Sequence, residues 1–202
     1  MGFFLNYYFR LTEYKLKRKC FYEKNFFIVI LQVSTDSQLM KGSNIKDNKK
    51  FIYEVIKDFG EANLANCNLV FKHHPRDRGY TNYSDLIEKF SKEFGVYKKV
   101  FYIHDCFLSK IFQNSNCKGT ILINSTVGYQ SLFHSVPVKA LGVTPYNIEG
   151  LSDQKSLVSF FRDPPNVERL LFKKFYKYIL ENSQINGNFD GYFPFDQVFF
   201  FK

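Results

Sequence analysis

The 202-residue chain contains no tryptophan, two methionines and four cysteines. Cys20, Cys67, Cys106 and Cys117 lie far apart and form no CxxC pair. Zinc ligation by paired cysteines needs closer spacing, and the disulfide framework of a small secreted chain would be denser. The expectation is a reducing, cytoplasmic setting with free, mostly structural thiols and no metal site. No apolar run approaches the roughly 20 residues that cross a bilayer. The longest, Phe26 to Leu31, is strand-sized. The N-terminus has no basic start followed by an apolar core and a small-residue cleavage site, so no signal peptide is expected. Acidic residues are also few, 19 against 28 basic, for a net charge of +9. That balance favours anionic partners: nucleic acid, an anionic membrane face or a phosphorylated substrate. Lys-rich stretches such as Lys15 to Lys19 are equally well read as solvated surface.

What is present is a globular composition, 45% hydrophobic, with 25 Phe and 14 Tyr. The length suits one ordinary domain with a core of its own. Short β-rich apolar runs occur at 26–33, 68–72, 99–103, 120–123 and 136–141. Between them, 51–59 and 85–94 repeat apolar residues at three- and four-residue intervals, and 105–112 and 127–134 are short helix candidates. Residues 166–182 read as a long amphipathic helix, with Asp163-Pro164-Pro165 as its start signal. Strands alternating with helices predict an α/β fold, a Rossmann-like parallel sheet with helices on both faces. The expected organisation is an aromatic, basic segment over 1–24, one domain over 25–185 and an aromatic tail over 186–202.

In an open parallel sheet, ligands bind outside the carboxyl ends of the strands. Four segments fall there. In the first, an apolar strand runs into Lys72, His73, His74, Pro75, Arg76 and, past Asp77, Arg78: two imidazoles, a proline and three cationic side chains. Such a strand end can bind a phosphate and neutralise charge growing on a leaving group. An ordinary basic turn is the alternative, and five polar or cationic groups together favour the anion site. In the second, a buried strand ends in Asn124, Ser125 and Thr126 and passes through Gly128 into a helix. Exposed N–H groups and hydroxyls there would cradle a phosphate, and the same residues would also serve as a plain N-cap. The third places Gln32 and Asp36 in the polar segment after the first strand. Asp36 could be a nucleophile or base, although the residues alone favour a cap. The fourth, 138–151, is either a base- or ribose-holding loop or a structural one.

The ordered series LQVSTDSQ, FKHHPRDRG, YIHD, INSTVGYQSL, PVKALGVTPYNIEGL and QINGNF resembles the capsule polysaccharide biosynthesis proteins of the KpsS/LipB type. The resemblance covers residues 26–190 or so. It implies a GT-B architecture of two Rossmann-like domains, with the donor bound mainly by the C-terminal one. It implies transfer of β-Kdo from CMP-Kdo, the donor substrate, with no cofactor. The acceptor would be a lyso-phosphatidylglycerol-type lipid or Kdo-lipid at the cytoplasmic face of the inner membrane. His74 is then expected on the CMP phosphate and Ser125 and Thr126 in its hydroxyl-rich loop. Asp36 becomes the catalytic carboxylate of a retaining reaction. Lys72, His73, Pro75, Arg76, Gln32, Asn124 and Gly128 complete the expected donor site.

A complete enzyme of this type also needs an N-terminal domain of similar size, and about 25 residues precede the first motif. The chain is therefore expected to be a fragment, a split-gene product, or a subunit working with a separate N-terminal domain or capsule assembly proteins. The competing expectation is a catalytically silent nucleotide- or lipid-binding module of a capsule assembly complex. Nucleic-acid binding ranks below both, because no RNA or DNA motif accompanies the charge and the aromatics read as core.

Overall fold

A computed structural model describes residues 23–33, 45, 47–77 and 79–183. Asp36, residues 1–22 of the aromatic N-terminal segment and the aromatic tail over 186–202 lie outside the described residues. Five strands form one sheet: β1 (Asn25–Ile30), β2 (Cys67–Lys72), β3 (Val100–Ile103), β4 (Cys117–Leu122) and β5 (Val138–Ala140). Their order is β3-β2-β1-β4-β5, and every neighbouring pair is parallel. The expected α/β class is therefore what the chain adopts. The chain steps outward from β1 to β3, then crosses β1 to start again at β4. That reversal puts a switch point at the carboxyl ends of β1 and β4, where open α/β sheets bind ligands.

Helix α1 (Asn48–Ala62) forms because Phe51, Ile52, Val55, Ile56, Phe59 and Ala62 recur at helical spacing, all buried. Asp47 caps it, its carboxylate accepting from Lys50 N at 2.7 Å, and Asn63 ends it in the left-handed region at φ 51°. Helix α2 (Ser84–Glu93) follows β2, and α3 (Leu108–Phe112) and α4 (Val127–Phe133) flank β4. A further short helix, α5 (Leu157–Arg162), was not expected from the sequence. Its six residues are too few to display a period.

Side-chain alternation along the strands assigns the helices to faces. Phe27, Val29 and Leu31 of β1 and its continuation share a core cluster with α1, and with Phe160 and Phe161 of α5. Phe27 meets Phe161 edge-on at 5.0 Å between centroids. Gly119 of β4 lies on this face, where a Cβ would come within 2.7 Å of the Phe160 ring. Its neighbour Thr120 points the other way and exchanges a 2.7 Å hydrogen bond with Ser131 of α4. The Phe112 ring of α3 lies 6.2 Å from the His134 ring that ends α4. Helices α3 and α4 thus cover the second face, as a doubly wound sheet requires.

The described thiols behave as small apolar groups. Cys67 and Cys117 are buried on the two strands beside β1, paired with Asn25 and Phe26. Burial pushes the Cys67 thiol up to about 11 and the Cys117 thiol up to about 12. The folded state thus favours their protonated forms. The corresponding stability is present below about pH 9, the ordinary thiol value, and is lost as pH rises through 11 and 12. Iodoacetamide at pH 8 should alkylate half-buried Cys106 in the folded protein. Cys67 and Cys117 should be labelled only after unfolding, which peptide mass mapping would read.

The chain divides into two compact units, the first ending at Val167 and the second beginning at Glu168. The second contains α6 (Arg169–Ser183), along which Phe172 and Tyr176 stack at 5.6 Å. Among the described residues, no helix is long and apolar enough to cross a membrane.

Candidate functional site

The strands end at one level. Ile103, Lys72, Ile30, Leu122 and Ala140 lie in a single row across the sheet, each paired with the next. The segments after β1, β2, β3 and β4 consequently leave from a common edge, and they enclose a cavity of about 480 Å³. Its walls are Ile30 and Leu31 after β1; Lys72, His73, His74 and Pro75 after β2; Cys106, Phe107, Leu108 and Ser109 after β3; and Ser125, Thr126, Val127 and Gln130 after β4. Two segments 50 residues apart in sequence, the His-Pro turn and the Ser-Thr turn, thus meet across one space.

On the first wall, a 3₁₀ turn at Pro75–Asp77 bends the chain away from β2. His74 Nδ1 accepts the Arg76 N–H at 3.1 Å. The neutral imidazole therefore carries its hydrogen on Nε2, a donor suited to a phosphate oxygen. Lys72 is buried, and its ammonium donates back to the His73 carbonyl at 2.6 Å. Arg76 is exposed on the turn and is not part of the cavity wall.

His73 is fully buried and belongs to an aromatic cluster behind the cavity. Its Nδ1 shares a 2.7 Å hydrogen bond with the Tyr102 hydroxyl, and its ring lies 4.5 Å from that of His104. The motif Tyr-Ile-His-Asp thus contributes to scaffold, with Tyr102 and His104 packed on His73 from β3.

On the second wall, Ser125 Oγ accepts the Val127 N–H at 3.3 Å. Gly128 N donates to Ser125 O at 3.2 Å and Tyr129 N to Thr126 O at 3.1 Å. These first-turn N–H groups are engaged within the turn, so the polar reach of this wall comes from the Ser125 and Thr126 hydroxyls. Gly128 is buried beneath Tyr146, where a Cβ would lie 2.6 Å from a ring carbon. The Tyr146 hydroxyl in turn donates to the Ser125 carbonyl. Burial raises the Tyr146 hydroxyl's pKa, so it remains a donor. Gly128 therefore sets backbone approach in this turn and does not line the cavity.

Gln32 and Asn124 are likewise turned toward each other. Gln32 Nε2 donates to Asn124 Oδ1 at 2.6 Å, and Asn124 N donates to Gln32 Oε1 at 3.3 Å. This bracket ties the ends of β1 and β4 together at the switch point. From α1, Asn48 holds the other side: its carboxamide accepts from Gln32 N (3.3 Å) and donates to Gln32 O (2.7 Å). Asn48 Nδ2 also reaches the Tyr83 hydroxyl at 3.1 Å, and Tyr83 N lies 3.4 Å from the Tyr102 hydroxyl on His73. One buried network therefore connects the floor under both walls, and buried hydrogen bonds of this kind fix geometry.

Six of the expected site residues thus line one cavity: Lys72, His73, His74, Pro75, Ser125 and Thr126. Gln32, Asn124 and Gly128 support it from behind, and Asp36 falls outside the described residues. The sequence reading missed Cys106, Phe107, Ser109 and Gln130. The strand-end rule was the available signal for the first three, since they follow β3 as directly as His74 follows β2. The fourth segment begins on β5. Lys139 of β5 is buried against Asp153, Nζ to Oδ1 3.3 Å. Among the described residues, no group of three or more His, Cys, Asp or Glu side chains could hold a metal ion.

The family model for capsule polysaccharide biosynthesis proteins matches residues 4–190. The chain belongs to this family. It is 37% identical over 197 residues to the capsule polysaccharide modification protein LipB of Neisseria meningitidis serogroup A, and equally to that of serogroup B. Those alignments cover 97% of this chain and 45% of each relative. The capsule polysaccharide export protein KpsS of Escherichia coli is 35% identical over 165 residues, 82% of this chain and 42% of KpsS. The chain therefore spans less than half the length of the curated relatives it matches. Among solved structures, the β-Kdo 2,7-transferase KpsC of Thermosulfurimonas dismutans aligns with a TM-score of 0.48 at 20% identity. That alignment covers 83% of this chain and 58% of that one.

Proposed function

We propose that this family member carries the donor site of a capsule glycosyltransferase, with CMP-Kdo as donor and the CMP phosphate held in the cavity at the sheet switch point. The observation that carries the reading is the convergence of the His74 and Ser125–Thr126 walls on one space at the β1–β4 switch point. Imidazole N–H and hydroxyl donors facing each other suit a phosphate ester, and they can stabilise the charge it gains on leaving. Membership of the capsule polysaccharide biosynthesis family supports a capsule glycosyl donor, and Kdo is the sugar that the resemblance to the KpsS/LipB type implies.

In the proposed reaction, the Asp36 carboxylate attacks the anomeric carbon of Kdo as the bond to the CMP phosphate oxygen breaks. CMP leaves with the bonding electron pair, and His74 donates a hydrogen bond to the departing phosphate. The acceptor hydroxyl then attacks the same carbon and gives its proton to solvent water, while the bond to Asp36 breaks with its electron pair returning to the carboxylate, so two inversions retain the configuration. The acceptor is a lyso-phosphatidylglycerol-type or Kdo-bearing lipid at the cytoplasmic face of the inner membrane. Turnover requires the second Rossmann-like domain of a GT-B cleft, in the same or a separate polypeptide.

Isothermal titration calorimetry with CMP tests the binding half directly. His74→Ala should weaken CMP binding by roughly tenfold to a hundredfold, the loss of one hydrogen bond to a charged group. Folded wild-type protein that shows no CMP binding would overturn the reading. Kdo transfer from CMP-Kdo to the lyso-lipid then tests the chemistry.

A further inference from the structure

The cavity has a second chemistry that the phosphate contacts leave unused. Opposite in character to the His74 and Ser125 groups is an apolar side, built from Ile30, Leu31, Phe107 and Leu108. Phe107 is unusual within it. The residue is 71% exposed, and of the large exposed hydrophobic side chains among the described residues it is the one that lines this cavity.

Its backbone is nevertheless fixed. The Phe107 carbonyl accepts the N–H groups of Lys110 (3.0 Å) and Ile111 (3.2 Å), which starts α3. The side chain therefore projects from an ordered turn. Lys110 Nζ stands 5.5 Å from the ring centroid, a cation over one aromatic face. Among the described residues no second ring or cation is paired with Phe107. A solvent-facing ring on a cavity wall, with a cation over one face, fits a flat heteroaromatic group attached to an anionic chain. A nucleobase linked to a sugar phosphate has that combination.

We propose that Phe107 is the stacking platform for the pyrimidine ring of the donor nucleotide, with the ribose phosphate running from it toward His74 and Ser125. This rests on the donor-site reading above and adds to it where the base sits and how it is held. Stacking engages the face of a base and not its edge. Phe107 therefore supplies affinity for pyrimidine nucleotides in general and does not distinguish cytosine from uracil.

Calorimetry with three probes, CMP, UMP and ribose 5-phosphate, separates the contributions. Phe107→Ala should weaken CMP and UMP alike by about tenfold and leave ribose 5-phosphate unchanged, whereas Phe107→Trp should keep CMP within about threefold of wild type. The exposure of the side chain leaves the fold intact in both variants, checked by circular dichroism. Unchanged CMP affinity in Phe107→Ala would overturn the proposal. So would an equal loss for ribose 5-phosphate, since the ring would then only shape the cavity. Wild-type protein that binds ribose 5-phosphate and CMP equally would overturn the base platform and leave the phosphate site standing. Failure of the wild type to bind any of the three overturns the donor-site reading, and this inference falls with it.

Discussion

Lys139→Met is expected to cost the folded chain about 3–5 kcal/mol, the usual consequence of removing one partner from a buried ion pair. Both side chains are almost fully enclosed, Lys139 at 6% and Asp153 at 5% exposure. The ammonium lies 3.3 Å from Asp153 Oδ1 and 3.0 Å from the Asp153 carbonyl, and it also donates to the Lys155 carbonyl. Asp153 Oδ1 accepts the Lys155 N–H as well, at 2.9 Å, while Asp153 N bonds Val138 O at 2.9 Å. Methionine fills similar space but leaves a carboxylate and two carbonyls without their cation. For a chain of this size the melting temperature should fall by roughly 6–20 °C, read by calorimetry or circular dichroism. The double variant Lys139→Met/Asp153→Leu should recover much of the loss, because deleting both charges removes the desolvation problem. A single-variant cost below about 1 kcal/mol, the range of a surface pair, would show that the pair is not desolvated.

Gly128→Ala should act on stability and binding together. The added methyl would sit 2.6 Å from a ring carbon of Tyr146, which is itself buried to 1% exposure and packed edge-on to Tyr129 at 4.9 Å. The ring has little room to retreat, so overpacking should cost about 1–3 kcal/mol. Displacing Tyr146 also releases its hydroxyl from the Ser125 carbonyl, which orients the Ser-Thr wall. CMP affinity should therefore fall along with melting temperature, unlike the purely structural Lys139 case. Truncating the opposing ring tests the cause: Gly128→Ala/Tyr146→Ala should be less destabilised than the sum of its parts. Strict additivity would place the problem elsewhere.

The sheet was legible from the sequence because each strand lies in a short, largely apolar, β-rich run. Five expected strands are the five observed, with ends displaced by a few residues. The first run was read to Val33 because Leu31 and Gln32 still look strand-like. In the structure β1 ends at Ile30, where Asn48 takes over the backbone groups of Gln32 in place of a neighbouring strand. Helix α5 was not legible. Phe160 and Phe161 are buried against Phe27, but two adjacent aromatics in six residues carry no periodicity.

Within the site, the strand-end rule located the right neighbourhoods but could not say which polar groups face the cavity and which face each other. Gln32 and Asn124 look like ligands in sequence, and only their 92-residue-apart contact shows them bracing each other. Lys139 posed the same difficulty, since its partner arrives 14 residues later on a returning segment. Phe107 was hidden for the opposite reason. A phenylalanine in a Phe-rich chain is read as core, and exposure is a property of the fold.

The Asn48–Gln32 amide bonds also tie the start of α1 to the residue that follows β1's continuation. Both bonds grip main-chain atoms of residue 32, so the tie is indifferent to the side chain carried there. Substitution of the Gln32 side chain should therefore leave these two backbone bonds, and with them the seating of α1 against the end of β1, in place.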